Sequence, residues 1–143
     1  MQNIKSLSDT TLLSKIQALA DEERKLTTQI LELLREVEHR RLYAQQGFST
    51  LFEYVVKGLG YSEASAARRI NSMRLLKELP DLKDSIEKGS LNLSTVSTVQ
   101  SFIKREEKEK GRIYTTEQKR ELIGQIENCS QRECEKILMG ISP

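Results

Sequence analysis

Leucines at 12, 19, 26 and 33 recur every seven residues, with Ile16, Ile30 and Val37 between them, so the first third of the chain predicts a sustained helical heptad. Leu13, Ala20, Thr27 and Leu34 widen this stripe toward a bundle-facing surface, and Glu23 interrupts it. Ser8 and Asp9 offer the N-cap, and Gly47 ends the region. Run as one helix to Gln45 it would be about 55 Å long, whereas a compact domain of this size is about 35–40 Å across. The pattern therefore predicts a break near Ala20–Asp21, with Asp21 capping a second helix that carries Glu22 and Glu23 in its first turn. If the helix is unbroken, the excess length is expected to pair with another chain. β-branched residues alternating with leucine favour a two-stranded parallel coil, while the width of the stripe favours a bundle or a dimer made from one. Leu12, Ile16, Leu19, Leu26, Ile30, Leu33 and Val37 form the candidate dimerisation surface, with packing inside one chain as the alternative. A basic-region zipper is disfavoured, because residues 1–8 hold only Lys5 as a cation.

The periodic signal stays helical to the C-terminus, and the expected class is all-α. Ser49 is read as the cap of a short helix from Thr50 to about Lys57, ended by Gly58 and Gly60. Ser62 caps a strong helix from Glu63 to about Leu79, which Pro80 stops. A short helix follows around Leu82–Lys88, then one capped by Ser94 and running to about Glu109. Thr115 with Gln118 and Ser130 with Glu133 fit the capping box and mark helices at about Thr116–Glu127 and Gln131–Met139. The organisation read from this is a long, dimerisation-competent segment at 1–46, a helix-turn-helix-like core at 47–112 and a C-terminal helical pair at 113–143, joined in one unit.

Composition narrows the chemistry more than the fold. In 143 residues there are one histidine, His39, and two cysteines, Cys129 and Cys134, too few soft ligands for a zinc finger and without a His-x-x-x-His pair. No phosphate loop, nucleophile elbow or dinucleotide fingerprint is present, so an independent enzyme is disfavoured and no metal or cofactor is expected. No run of about 18 apolar residues and no signal core occur, which points away from the membrane to a reducing cytoplasm with free thiols. Charged residues make up 31% of the chain, yet 23 Lys and Arg against 21 Asp and Glu leave a net charge of only +2, so any basic face must come from clustering. The run Lys104 to Arg112 mixes five cations with three carboxylates and reads as a solvated helix end. Tyr43, Tyr54 and Tyr61, with Phe48 and Phe52, are expected to form the core where the long helix meets the next elements.

The most informative segment is Leu59-Gly-Tyr-Ser-Glu-Ala-Ser-Ala-Ala-Arg-Arg-Ile70. Helix, glycine turn, serine cap and alanine-rich helix follow in the order of a helix-turn-helix, whose second helix can approach DNA closely. Ser62, Ser65, Arg68, Arg69, Ser72 and Arg74 on that helix are candidate contacts, Arg68 able to meet a guanine edge and the others phosphates. Arg40 and Arg41, near the end of the long helix, are candidate helpers. The competing reading makes these arginines a solvated or protein-contacting face, with Arg40 and Arg41 favoured by the helix dipole. His39 lacks a carboxylate and nucleophile around it in sequence and reads as a surface histidine.

Glu38-His-Arg-Arg-Leu-Tyr-Ala-Gln-Gln-Gly-Phe-Ser-Thr-Leu-Phe-Glu-Tyr54, Leu59-Gly-Tyr-Ser, Ala67-Arg-Arg-Ile, Pro80 and Gly89-Ser-Leu-Asn-Leu93 together resemble the N-terminal helical region of bacterial HNH endonuclease-family proteins. The turn and the following Gly-x-Leu block are also similar to partition-protein DNA-binding regions. The resemblance implies an accessory region that precedes a nuclease domain, whose metal site uses histidines and an asparagine. A single histidine departs from that catalytic set, so the resemblance implies the accessory region without the catalyst. The expected function is a non-catalytic module binding duplex DNA through the arginine-bearing helix. The alternative is an interaction module that pairs with itself or with a nuclease-bearing relative.

Overall fold

The computed structural model describes residues 3–143, which form eight α-helices and no strand. They are α1 (Asp9–Arg40), α2 (Leu42–Gln45), α3 (Leu51–Glu53), α4 (Glu63–Glu78), α5 (Leu82–Lys88), α6 (Leu93–Lys110), α7 (Thr116–Ile126) and α8 (Gln131–Ile141). A 3₁₀ turn, Ile4–Ser6, precedes α1, and α3 runs into a π-helical turn, Tyr54–Gly58. No helix among the described residues is long and apolar enough to cross a membrane.

The all-α expectation holds, but α1 does not break at Ala20–Asp21. Its 32 residues run without interruption, about 48 Å at 1.5 Å per residue. Asp21 does not cap a new helix because its carboxylate is taken by its own neighbours one turn away, Gln17 at 3.0 Å and Arg24 in an ion pair. The helix stops at Arg41 rather than near Gln45, since Arg41 takes the left-handed conformation (φ 54°) and turns the chain into the short α2.

The later caps fall where polar side chains reach the third amide. The Thr50 hydroxyl, and not Ser49, accepts from the Glu53 N–H at 3.0 Å, while Ser49 donates to the Glu53 carboxylate. Asn92 displaces Ser94 as the cap of α6, its carboxamide oxygen accepting from the Thr95 N–H at 2.9 Å. Both expected capping boxes, Thr115 with Gln118 and Ser130 with Glu133, are formed. In the π turn Leu59 N–H reaches back to the Tyr54 carbonyl at 3.0 Å. Gly58 is needed there by close approach, because a Cβ would lie 2.9 Å from the Tyr54 ring.

One core of buried side chains runs from Leu31 to Leu138 and so joins all three segments read from the sequence. Its largest fully buried members include Phe102, Leu31, Met73, Leu75, Leu79 and Ile126, so it is chiefly aliphatic. The aromatic cluster expected at the centre sits at its rim instead: Tyr43, Tyr54 and Tyr61 are partly buried, Phe48 meets Tyr54 edge-on, and Phe52 is exposed. Helix α1 runs antiparallel to α4 and α5, fixed by Glu38 to Arg74, Glu32 to Lys83 and Thr28 to Glu87. Helix α7 lies along α5, with Arg120 to Asp81 at one end and Glu127 to Ser85 at the other.

Candidate functional site

Two surfaces carry the expectations made from sequence: the arginine-bearing helix α4 and the leucine stripe of α1. At α4 the turn forms as read. Gly60 adopts φ +84°, and the Ser62 hydroxyl accepts from the Ser65 N–H at 3.2 Å. The helix that follows is packed on both sides, however, against α1 and against α6. Ala66, Ile70, Met73, Leu75 and Leu76 are all buried, which leaves a narrow strip for contact with a macromolecule.

That packing sorts the eight candidate DNA contacts. Ser72 is fully buried and donates to the Leu93 carbonyl at 3.4 Å, so it cannot reach a nucleic acid, and this corrects the sequence reading. Its hydroxyl is a small polar group that lets α6 come close and still finds an acceptor. Arg74 is engaged with Glu38 at 2.8 Å and Arg40 with Glu36 at 2.7 Å. Arg69 folds over the Tyr61 ring at 4.3 Å and donates to the Ser65 carbonyl, a cation–π contact that holds the turn against the helix. Arg68 donates to the Ser65 hydroxyl at 3.2 Å, and Arg41 is exposed in its left-handed turn. Among the described residues no carboxylate lies within ion-pair distance of Arg41, Arg68 or Arg69, and Arg69 is turned onto the Tyr61 ring, which leaves Arg41 and Arg68 as the two candidate guanidinium groups held by neither a carboxylate nor an aromatic ring. His39 is exposed in a polar cleft with Glu32, Arg35, Glu36, Glu38 and Lys77, without a nucleophile.

The stripe on α1 has the opposite fate. The body takes a different face of the helix, with Thr28 and Leu31 fully buried and Leu34 nearly so, and with Arg24 and Glu38 bonded to neighbouring elements. At 100° per residue that face is centred roughly 120° around the helix from the heptad seam. Leu12, Leu13, Ile16, Leu19, Leu26 and Leu33 therefore remain in water, from 43% exposed at Leu12 to 68% at Leu33. Ile30 and Val37, at the lower end of the seam, are partly covered by the core. Every residue from 8 to 19 is exposed, so the first three turns of α1 form an arm that stands clear of the core.

The seam ends in a groove. Ile30, Leu33, Leu34, Val37, Leu42, Tyr54 and Leu59 line an open, almost wholly apolar depression of about 500 Å³, with Glu36 and Arg40 at its edge. Contiguous exposed apolar surface of this kind marks an interaction site far more often than an ordinary surface.

A third feature was not legible in the sequence. Glu106, within the run read as a solvated helix end, is buried. It accepts from the Ser142 hydroxyl at 2.8 Å and from Tyr114 at 3.4 Å, with Lys110 at 3.5 Å and Arg112 at 3.8 Å. Burial alone would raise its pKa; the Ser142 hydrogen bond and the two cations outweigh it and hold the carboxyl below its ordinary value. Arg112 also lies over the Tyr114 ring at 4.7 Å, and Tyr114 packs on Phe102, so the cluster pins the start of the α6–α7 connection to the core. Cys134 is fully buried and its thiol is pushed up to about 11, chiefly by burial, whereas Cys129 is only partly covered; both are free. Among the described residues no group of three or more His, Cys, Asp or Glu could hold a metal ion.

The class that these features define is an all-α bundle with a projecting, apolar helical arm. Comparison with protein-family models, with curated proteins and with solved structures finds no match.

Proposed function

We propose that this chain is a non-catalytic interaction module that self-associates through the leucine seam of α1. The observation that carries the reading is the separation of the two faces of that helix. The body is satisfied by Thr28, Leu31 and Leu34, and a second, regularly spaced apolar face is left without a partner. A strict seven-residue repeat is more than folding onto the body requires, and it is what another helix needs. Sedimentation of the chain over a concentration series tests this. Wild type is expected to form a reversible dimer, and the triple variant Leu12→Lys, Leu19→Lys, Leu26→Lys to remain monomeric with unchanged helicity. A wild-type chain that is monomeric at every concentration overturns the reading and leaves a nuclease-bearing relative as the partner to seek.

A second reading, binding of duplex DNA, is favoured by the formed Gly60–Ser62 turn and by the uncompensated Arg68 and Arg41. It now rests on two arginines rather than the larger set. Titration of labelled duplex at low salt should show binding that weakens steeply with added salt and falls in the Arg41→Ala, Arg68→Ala double variant. Absence of binding by wild type at low salt refutes it.

A further inference from the structure

We propose that two copies of the chain pair through α1 in antiparallel register, with Asp9 of each helix level with Arg40 of the other, so that the bare arm of one copy lies in the apolar groove of its partner. This rests on the self-association reading above and gives it an orientation and a second surface.

One copy leaves two things uncovered, and they complement each other. The arm carries exposed leucines over its first three turns, while the groove at the other end of the same helix is lined by Leu33, Val37, Leu42, Tyr54 and Leu59. In the antiparallel register Leu12 lies level with Val37 of the partner, Ile16 with Leu33, Leu19 with Ile30 and Glu23 with Leu26. The body packs only on the half of α1 beyond about Asp21, so the body-free half of each helix falls on the body-bearing half of the other. The two bodies then sit at opposite ends without collision. The arrangement is isologous: arm fills groove twice, and no apolar face is left to recruit a third chain.

The charges favour the same orientation. At the rim of the groove Glu36 and Arg40 form an ion pair, and the antiparallel register brings Asp9, of opposite charge, level with Arg40. Glu22 falls beside Gln29. In a parallel pair every residue faces its own copy, which sets Glu23 against Glu23 in the seam with Glu22 alongside, a cluster of carboxylates in a drying interface. It would also turn each groove toward the other groove and leave both unfilled. The leucines and isoleucine left in water are 43–68% exposed, so each has about 60 Å² left to bury out of the roughly 100 Å² implied by a leucine's full burial free energy. The six of each copy, taken over both copies, bring the buried area to about 700 Å² before the groove walls are added, the scale of a weak, reversible association.

Disulfide trapping decides the orientation. The full chain is used with Cys129→Ser, Cys134 being fully buried, and Ile16→Cys or Leu33→Cys is introduced singly, one of the two carrying a tag that separates it by size. Both positions are exposed, so the variants should fold as wild type, which helicity checks. Under mild oxidation the mixture of the two variants should give the mixed disulfide at least about tenfold over either self-disulfide. In the antiparallel register like positions lie about 25 Å apart along the axis, whereas a disulfide needs its Cβ atoms within about 4 Å. Self-disulfides in each variant alone, with sedimentation showing a dimer, overturn the antiparallel orientation and leave self-association standing. A dimer that cross-links in no combination removes α1 as the interface. A chain that is monomeric throughout removes both proposals.

Discussion

Leu19 and Leu31 lie twelve residues apart on one uninterrupted helix, and the structure assigns them opposite consequences. Leu31 is fully buried against the body, while Leu19 is 61% exposed in the arm. Truncating Leu31 to alanine removes core contacts and leaves a cavity, which costs about 2–5 kcal/mol of folding stability. Truncating Leu19 should leave the folded monomer within about 0.5 kcal/mol of wild type, because it is mostly exposed and outside the core and alanine is the better helix former. Its effect belongs to association. A leucine is worth about 1.5–3 kcal/mol when fully buried, so covering the exposed part of Leu19 contributes about 1–2 kcal/mol per copy and about 2–4 kcal/mol per dimer. That corresponds to a Kd weakened roughly 30- to 700-fold. Urea unfolding of dilute, monomeric protein reads the first quantity, and sedimentation equilibrium reads the second. If Leu19→Ala shifts the dilute urea midpoint as far as Leu31→Ala does, the seam is packed within the monomer. If it leaves association unchanged, the seam is not the interface.

The carboxylate in the seam should behave in the reverse sense: Glu23→Leu is expected to tighten the dimer by about tenfold or more, measured by sedimentation, as it replaces a charge by an apolar side chain opposite Leu26. Glu106 sets a pH dependence with a definite sign. Its folded pKa lies below its ordinary value of 4.5, so its contribution to stability is present above about that pH and is lost as pH falls through the lower folded value. Urea midpoints measured from neutral pH downward should fall on acidification in wild type and less steeply in Glu106→Gln. Two glycines should respond oppositely to alanine. Gly89 caps α5 at φ +87° with the Arg24 side chain 3.4 Å from the site of a Cβ, so Gly89→Ala should destabilise by about 1–2 kcal/mol. Gly124 lies inside α7 with open space around it, and Gly124→Ala should stabilise by about 0.5–1 kcal/mol. Thermal unfolding of the two variants in parallel checks both.

By itself the sequence determined the helices and most of their ends. A cap needs only a hydroxyl or carboxamide three residues from an amide, and Ser8, Ser62, Thr115 and Ser130 state that locally. It also determined the seam, since a seven-residue leucine spacing is a property of the chain alone. Where a local signal was ambiguous the tertiary structure chose. Asp21 had the residue type of a cap but gave its carboxylate to Gln17 and Arg24, and Asn92 rather than Ser94 supplied the oxygen that caps α6. What no local pattern could decide was which face of α1 the body would take. Thr28, Leu31 and Leu34 win because α4 and α5 lie there, and that choice leaves the leucine heptad in water. The same packing fills both sides of α4, burying Ser72 and tying Arg74 to Glu38, because partners 21 and 36 residues away are brought to the helix only by the fold. Glu106 is the clearest instance: four charged neighbours in sequence make it look solvated, and Tyr114 and Ser142, supplied by distant turns, are what bury and satisfy it.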